Sequence, residues 1–307
     1  MRQLERLVVI ERITNRGRDK VRPPWFSKQI AFQSLREALD AAGVPVELHL
    51  VVDHGLPPGV EELLRPDDHV QVREIGSSRG SMIALLHQAE AVGLTPADLV
   101  WFAEDDYLYT RDAFAKLVAA AQSTGAEYFS MHVPDDRAWH AEHPSQPLGH
   151  VEPMPGEPFE VAGESWRRIT HTNSTFGAWG DVLLEDLFLL KTCTNGGSPY
   201  DHSSNMVLQG RPPFPARELF RDLNPKPAPR SWIGPLARPP MRVVMNALAR
   251  RRGDRTRRLL APVRELACHL EPVQMRPAHD WDALAADIAD RLAARPGPPS
   301  HEGPEAS

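Results

Sequence analysis

The chain has 307 residues, of which 41% are hydrophobic and 25% are charged, so it can bury the core of one large domain or of two small ones. Its formal net charge of −6 gives no reason to expect a nucleic-acid-binding protein. The two cysteines lack metal-ligand spacing, and the N-terminus lacks a signal-peptide pattern. No apolar run approaches the roughly 18 residues of a membrane span. Together these three observations predict a cytoplasmic protein.

The first 133 residues alternate between segments typical of strands and segments typical of helices. The predicted strands are 7–10, 46–52, 70–75, 97–102 and 127–133. The predicted helices are 27–42, 61–64, 80–92 and one that begins after an N-cap at Thr110. Strands that alternate with helices predict an α/β fold with a mainly parallel sheet, covered by helices on both faces. Ligands of such sheets bind beyond the carboxyl ends of the strands.

The region 134–294 changes character, because the 30 prolines cluster in the second half of the chain. Long ordered loops are expected there. One or two strands are predicted in 159–170, helices at 179–192 and 198–209, and a final helix from Asp280 with an inward apolar face. We therefore expect a ligand-binding half over 1–133, a second half over 134–294 with proline-rich loops and a basic helical region, and a disordered tail over 295–307.

The segment FAEDDYLY, residues 102–109, begins at the end of the fourth predicted strand. It contains three consecutive carboxylates, Glu104, Asp105 and Asp106. Hard cations such as Mg²⁺ and Mn²⁺ prefer carboxylate oxygens, and Glu104 and Asp106 have the acid-x-acid spacing that could hold one. A solvated turn ahead of a helix is the simpler alternative. The cluster is therefore interpreted as a candidate cation site.

Polar residues also follow the first three predicted strands. Asn15 and Arg16 come after the first strand, Asp53 ends the second, and a Gly/Ser segment over 76–81 follows the third. Each alone suits an ordinary turn or helix start. Together with the acidic cluster they mark four successive strand ends. A helix N-terminus with Arg79 beside it favours a phosphate group.

In this order the motifs resemble those of a GT-A-fold glycosyltransferase, most closely of the family 2 type. The matching motifs are Asn15-Arg16, Val52-Asp53-His54-Gly55, the loop and helix over 76–91, and Glu104-Asp105-Asp106 in place of an Asp-x-Asp motif. The resemblance covers 7–133 well and extends loosely to about 210. Two departures stand out: Glu104 replaces the first Asp of the motif, and the proline usual before the Asn-Arg pair is absent.

The resemblance implies a GT-A-type sheet with an acceptor-side extension, a nucleotide-diphosphate-sugar donor and a Mn²⁺ or Mg²⁺ cofactor. Asp53 would contact the nucleobase or ribose, Glu104 the ribose or a metal-bound water, and Asp106 the cation that bridges the diphosphate. The implied donor-binding residues are Asn15, Arg16, Asp53, Arg79, Glu104 and Asp105. The implied metal ligands are Asp106, Glu104 and His269.

An inverting enzyme of this kind also needs a general base to take the proton of the acceptor hydroxyl. The resemblance points to an acid near a helix start in the acceptor half, and Asp201 in the segment 196–205 matches best. As an alternative, Asp201 is the N-cap of its helix. Glu185 and Asp186 are rival acids, but they lie within the apolar run of another helix.

A histidine is a usual extra metal ligand in several GT-A families. His132, His171 and His269 are the candidates, and each could equally be structural. His269 is favoured because late-sequence histidines recur in that role.

The segment 233–264 is strongly basic, with nine arginines and one acid, Asp254. Its apolar residues alternate with the arginines, as in an amphipathic helix that lies on an anionic membrane surface. A solvated helical face or a clamp on an anionic acceptor is the alternative. Peripheral contact with the inner membrane surface through 233–264 is therefore one expectation.

The leading hypothesis is a metal-dependent, inverting glycosyltransferase that moves a sugar from a nucleotide-diphosphate sugar to an acceptor hydroxyl of a glycan, a lipid-linked molecule or a small molecule. A nucleotidyltransferase acting on a sugar phosphate is the enzymatic alternative. It would need a Gly-rich loop with Arg or Lys after the first strand, which Asn15-Arg16-Gly17-Arg18 matches in part. A catalytically degenerate GT-A-like binding protein is the third hypothesis, motivated by the two departures from the motif pattern.

Overall fold

A computed structural model describes residues 2–16, 20–133, 156–196, 200–220 and 233–295, the last range without the side chains of 233–235. The strands are β1 (Arg6–Thr14), β2 (Val46–Asp53), β3 (His69–Arg73), β4 (Asp98–Glu104), β5 (Tyr107–Tyr109), β6 (Tyr128–Phe129), β7 (Phe159–Val161), β8 (Glu164–Arg168), β9 (Phe176–Trp179), β10 (Leu259–Pro262) and β11 (Ala267–His269). The α-helices are α1 (Lys28–Asp40), α2 (Ser78–Ala91), α3 (Ala113–Thr124), α4 (Gly180–Cys193), α5 (Tyr200–Leu208), α6 (Ala216–Leu219), α7 (Ile233–Arg250) and α8 (Trp281–Ala293).

Nine of these strands form one sheet in the order β3-β2-β1-β4-β9-β6-β10-β8-β7. The first four are parallel to one another. β9 runs antiparallel to both β4 and β6, and β10 pairs in parallel with β6 before β8 and β7 complete the sheet with antiparallel pairs. Only β9 and β8 run against the others, so the sheet is mainly parallel.

Helices cover both faces of the sheet because the chain crosses it in two directions. α1 connects β1 to β2, whereas α2 carries the chain back from β3 to β4, and right-handed crossovers place these two helices on opposite faces. α4 packs on β4, β9 and α2, while α1 contacts α3 and α8. The inner residues of β4, Leu99 to Ala103, are fully buried. The predicted α/β fold class, a mainly parallel sheet covered by helices on both faces with an extension and a C-terminal helix, is confirmed.

The segment after β4 differs from the prediction in a way that shapes the site. Thr110 was expected to cap the next helix, but α3 begins only at Ala113 and Asp112 holds its N-cap position. The Thr110 amide instead donates to the carbonyl of Leu266, at 2.9 Å. The reason is that Tyr107–Tyr109 forms the short strand β5, which pairs antiparallel with β11. The sequence-based reading missed both strands.

The basic segment is not one amphipathic helix. α7 ends at Arg250, and Leu259 and Leu260 belong to β10, where they are buried in the central sheet. The prediction that these two leucines share a membrane-facing helical surface is therefore wrong. Leu236, Val243 and Val244 of α7 are exposed, so membrane contact stays a prediction for α7 alone.

Among the described residues, no helix has the length and apolar character required to cross a bilayer. The predicted boundary at 133/134 separates stretches of chain that both contribute strands to the nine-stranded sheet. The proline-rich stretches 134–155 and 221–232, and the predicted tail beyond Arg295, lie outside the described residues.

Candidate functional site

The acidic cluster lies at the carboxyl end of β4, next to the carboxyl end of β1. Glu104 is the last residue of β4, and Asp105 and Asp106 form the turn into β5. Since β4 and β1 are parallel and Glu104 is in register with Arg12, the cluster sits where ligands of such sheets bind. Each of the three acids has a different set of partners.

Asp106 forms a buried group with His269 and Glu271. The pairing of β5 with β11 sets His269 opposite Tyr107, one residue after Asp106. His269 Nε2 lies 3.4 Å from Asp106 Oδ2 and 3.6 Å from Glu271 Oε1. One potential ligand atom from each residue lies within 4.8 Å of the other two. This group could hold a metal ion.

The residues of this group fit a hard divalent cation. Two carboxylates and an imidazole supply the oxygen-rich ligand set that Mg²⁺ or Mn²⁺ accepts. Asp106 Oδ1 is buried without a hydrogen-bond partner among the described residues, so it retains the lone pairs that a cation would use. The sequence-based prediction found Asp106 and His269 but missed Glu271. Its position two residues after His269, in the segment CHLEP, was the available signal.

Two cationic side chains from the segment after β1 also reach this group. Arg22 Nη2 donates to Asp106 Oδ2 at 2.6 Å, and Arg22 Nη1 donates to the carbonyl of Leu270 at 2.7 Å. Lys20 forms an ion pair with Glu271 and lies 3.7 Å from Asp106 Oδ2. Burial would raise the pKa of the Asp106 carboxyl, but the charges of His269, Lys20 and Arg22 hold it well below its usual range. Asp106 is therefore an anion at neutral pH.

Glu104 lies beside the three-residue group rather than in it. Its Oε1 is 3.7 Å from Arg12 Nη1. Burial, together with the negative charge of Asp106, raises the pKa of the Glu104 carboxyl to about 7, although Arg12 opposes this shift. The predicted roles of Glu104, as a donor contact and a metal ligand, stay predictions.

Asp105 and Asp53 each use one carboxylate oxygen to hold the scaffold together. Asp105 Oδ2 accepts a hydrogen bond from the Thr14 amide and pairs with Lys28 Nζ, both at 2.8 Å. Asp53 Oδ1 accepts from the Ile75 amide at 2.9 Å. These contacts join the ends of neighbouring strands. The predicted donor contacts of Asp53 and Asp105 stay predictions that would use the other oxygen.

The remaining predicted donor-binding residues lie at the same end of the sheet. Asn15 and Arg16 are exposed after β1, and the Asn15 amide donates to the carbonyl of Asp53 at 3.3 Å. Arg79, in the first turn of α2, donates to Asn195 Oδ1 at 2.6 Å and so contacts the segment after α4. The Arg79 guanidinium therefore links the start of α2 to the segment after α4.

Asp201 lies in the first turn of α5, with its carbonyl accepting from Ser204 Oγ at 3.0 Å and Asn205 Nδ2 at 2.8 Å. The alternative that Asp201 is the N-cap does not hold, because Tyr200 already belongs to the helix. Asp201 lines a small open pocket. The other lining residues are Met82, Phe176, Leu190, Tyr200, Ser204 and Asn205.

A chain of polar and aromatic contacts connects this pocket to the group formed by Asp106, His269 and Glu271, here called the metal-ligand group. Tyr107 stacks on His269 with ring centroids 4.9 Å apart, and its hydroxyl accepts from Asn173 Nδ2 at 3.2 Å. The next residue, Ser174, contacts the Tyr200 hydroxyl at 3.1 Å. Burial raises the pKa of the Tyr200 phenol, and the charges of Glu104 and Asp201 add to this shift. The two halves of the candidate site therefore adjoin.

The rival acids are engaged elsewhere. Asp186 is buried between Arg252 and Arg257, at 2.8 Å and 2.7 Å, and accepts from the Tyr128 hydroxyl. Glu185 pairs with Arg257 at 2.7 Å. These contacts are typical of a structural ion network that attaches the segment before β10 to α4.

The two other candidate histidines have local partners. His132 Nδ1 is 3.0 Å from Glu265 Oε1, and its ring packs edge-on against His269. Burial lowers the pKa of His132, although Glu265 opposes the shift. His171 packs edge-on against His202. His132 thus supports the ring of His269 from the side.

Comparison with known proteins gives structural similarity only. No protein-family model matches the sequence, and no curated protein matches it. Among solved structures, TarS 1-349 of S. aureus shares 12% identity with a TM-score of 0.39 over 66% of this chain and 54% of that one. TarS 1-349 in complex with UDP shares 14% identity with a TM-score of 0.37, over 66% of this chain and 54% of that one. CMP:2-keto-3-deoxy-manno-octonic acid synthetase complexed with CTP shares 15% identity with a TM-score of 0.38, over 66% of this chain and 83% of that one.

The region that matches TarS spans about half of the TarS chain. With identities of 15% or less and TM-scores below 0.4, these likenesses identify neither the substrate nor the reaction of this chain.

Proposed function

We propose that this protein is a metal-dependent glycosyltransferase that moves a sugar from a nucleotide-diphosphate sugar to an acceptor hydroxyl with inversion. The proposal rests mainly on one observation: Asp106, His269 and Glu271 form a buried ligand group at the carboxyl end of the parallel strands. The positive side chains of Lys20 and Arg22 border the same group. Such a site suits an anionic, metal-bound diphosphate.

The cation supplies charge neutralisation for the diphosphate that leaves when the sugar–phosphate bond breaks. Asp106, His269 and Glu271 would hold it. Lys20 and Arg22 already balance these carboxylates, and on donor binding they are placed to turn toward the phosphate oxygens. Asp53, Asn15 and Arg16 lie at the ends of β2 and β1, where the nucleoside part of the donor would bind.

Asp201 is the proposed general base, which takes the proton of the acceptor hydroxyl. Its pocket adjoins the metal-ligand group through Tyr200, Ser174 and Tyr107. The half-buried carboxylate lines a small pocket and could contact an acceptor hydroxyl there. The donor and acceptor sites would then meet along the segment 173–174.

A thermal-shift screen tests the proposed reaction class. The probes are UDP-, GDP- and dTDP-sugars with and without Mn²⁺, and the corresponding nucleoside triphosphates with a sugar 1-phosphate. Glycosyl transfer predicts Mn²⁺-dependent stabilisation by at least one nucleoside diphosphate or its sugar. Stabilisation by a triphosphate alone would contradict it and favour nucleotidyl transfer. No response to any probe would also contradict it and favour a degenerate binding protein.

Nucleotidyl transfer to a sugar phosphate is the second candidate function. It is favoured by a specific observation: Lys20 and Arg22, from the segment after β1, reach the acidic group as a triphosphate-binding loop would require. The same cations also suit a departing diphosphate, so the screen above decides between the two reactions.

Asp201→Asn tests the proposed base. The variant removes the proton acceptor but keeps the size of the side chain, so donor binding should persist while transfer to the acceptor falls by about a hundredfold or more. Binding is measured by calorimetry with the nucleoside diphosphate that the screen selects, and transfer by product formation. Asp254→Asn, in an exposed 3₁₀ helix, is the matched control. Transfer at the control's rate would refute the assignment.

A further inference from the structure

A second group of potential metal ligands lies on the first strands of the sheet, away from the acidic cluster. Glu47 and His49 are two residues apart on β2, so their side chains share one face of the sheet. His69 begins β3 and is in direct register with His49. Because neighbouring strands are about 4.8 Å apart, the two rings stack, with centroids 4.5 Å apart and planes 15° from parallel.

The potential ligand atoms of this group converge. Glu47 Oε1 lies 2.6 Å from His49 Nε2 and 3.8 Å from His69 Nε2. All three atoms lie within 4.8 Å of one another. Two imidazoles and one carboxylate are a ligand set that Zn²⁺ accepts. The exposed ring of His69 leaves a path from solvent.

The surroundings orient these ligands as metal sites require. Glu47 Oε2 is paired with Arg6, which Asp98 holds in turn with contacts of 3.0 Å and 2.8 Å. This leaves Glu47 Oε1 directed at the histidines.

The Gln88 side chain can fix the tautomer of His49. Gln88 Nε2 is 3.1 Å from His49 Nδ1, while Gln88 Oε1 is buried without a hydrogen-bond partner among the described residues. A half-turn of the amide would let His49 Nδ1–H donate to Gln88 Oε1. The lone pair of His49 Nε2 would then face Glu47 and a metal ion, as in other histidine-metal sites.

We propose that Glu47, His49 and His69 form a zinc-binding site distinct from the Asp106 group. The ion would link β2 to the edge strand β3. β3 is an edge strand of the sheet, and its Val70 and Val72 side chains are both exposed. The site would therefore stabilise the sheet edge and take no part in sugar transfer.

Zinc stoichiometry in the full chain tests this proposal. His269→Ala serves as the background, because it weakens the Asp106 group as a competing site. After equilibrium dialysis against Zn²⁺ and metal analysis, the background variant should retain one equivalent. Adding His69→Ala should remove it, whereas adding His87→Ala, at an exposed histidine of α2, should not. Glu47→Gln should weaken binding by about tenfold or more.

Two results would overturn the proposal. One is the absence of bound zinc in the background variant, which would reduce the cluster to an ordinary hydrogen-bond network. The other is equal zinc content in the His69→Ala and His87→Ala variants, which would place the ion elsewhere. Circular dichroism of each variant checks that the fold is intact, and the readout is independent of enzymatic activity.

Discussion

The three adjacent carboxylates of the acidic cluster are chemically distinct because each faces a different neighbour. Glu104 lies by Arg12, Asp105 binds Thr14 and Lys28, and Asp106 faces His269. The sequence alone could establish the acid-x-acid spacing and the position after a strand. It could not reveal the partners of each acid, because these come from segments that are distant along the chain.

At the residue scale, Asp105→Ala should destabilise the fold. The substitution removes the acceptor of the Thr14 amide and the carboxylate that pairs with the Lys28 cation, so the free energy of unfolding should fall by about 3–5 kcal/mol. Urea denaturation measures this. The double variant Asp105→Ala/Lys28→Met should recover part of the lost stability, since it also removes the Lys28 cation that has lost its carboxylate partner. An effect no larger than that of the exposed Asp287→Ala would contradict a structural role for Asp105.

The position of His269 beside Asp106 depends on an element that periodicity could not predict. β5 and β11 have three residues each, too few to show an alternating pattern. They form because Tyr107–Tyr109 and Ala267–His269 pair across more than 150 residues of sequence. Longer elements such as α1 and β2 could be predicted because their apolar spacing extends over several turns or alternations.

α7 is attached to the rest of the molecule by a buried arginine rather than by an apolar stripe alone. Arg242 is fully buried and donates to the carbonyls of Gly196 at 3.2 Å and Glu218 at 2.8 Å. Its guanidinium also lies over the ring of Phe214, 5.3 Å from the centroid. Arg242 of the basic segment thus holds α7 against neighbouring segments, a role that the net charge of the segment could not indicate.

At the element scale, Arg242→Met should lower the free energy of unfolding by about 3 kcal/mol. Methionine keeps most of the apolar stem but cannot donate to the Gly196 and Glu218 carbonyls. Arg250→Met, at the exposed end of α7, is the matched control and should change stability by about 0.5 kcal/mol or less. Similar values for the two variants, measured by chemical denaturation, would refute the anchoring role.

Across the whole molecule, the central sheet carries a buried acid in its core. Glu11 of β1 is buried, and burial raises its pKa to about 8, with the charge of Asp105 adding to the shift. Arg36 and Lys28 oppose the shift without cancelling it. The folded protein therefore holds this proton at pH values where the unfolded chain has released it. Stability falls as pH rises from about 4.5 toward about 8, by at most about 1.4 kcal/mol per pH unit.

Glu11→Gln should remove this dependence. Glutamine resembles the protonated acid, so the variant should gain stability relative to the wild type as the pH is raised from 5 to 8. Chemical denaturation at both pH values measures the difference. A difference between the two proteins that is the same at pH 5 and pH 8 would show that Glu11 is not protonated in the folded state at neutral pH.

For the central sheet, the alternation of strands and helices in the sequence was enough to predict the parallel half. The order of polar strand ends predicted that the candidate residues would lie at one end of the sheet, because parallel strands bring their carboxyl ends together. Two things escaped prediction. β10 joins the sheet from 259–262, since a short buried strand beside a basic helix has no periodic signature. Glu271 was missed because its role depends on the β5–β11 pairing.

Manganese binding in the presence of a nucleoside diphosphate tests the central claim most directly. Electron paramagnetic resonance can count free Mn²⁺ while UDP, GDP or dTDP is added to the wild type, to Asp106→Asn and to the exposed control Asp287→Asn. We predict that at least one nucleotide tightens Mn²⁺ binding in the wild type and the control, and that Asp106→Asn weakens it by about tenfold or more. Equal Mn²⁺ binding in all three proteins, or none in the wild type, would contradict the assignment of Asp106, His269 and Glu271 as the metal site.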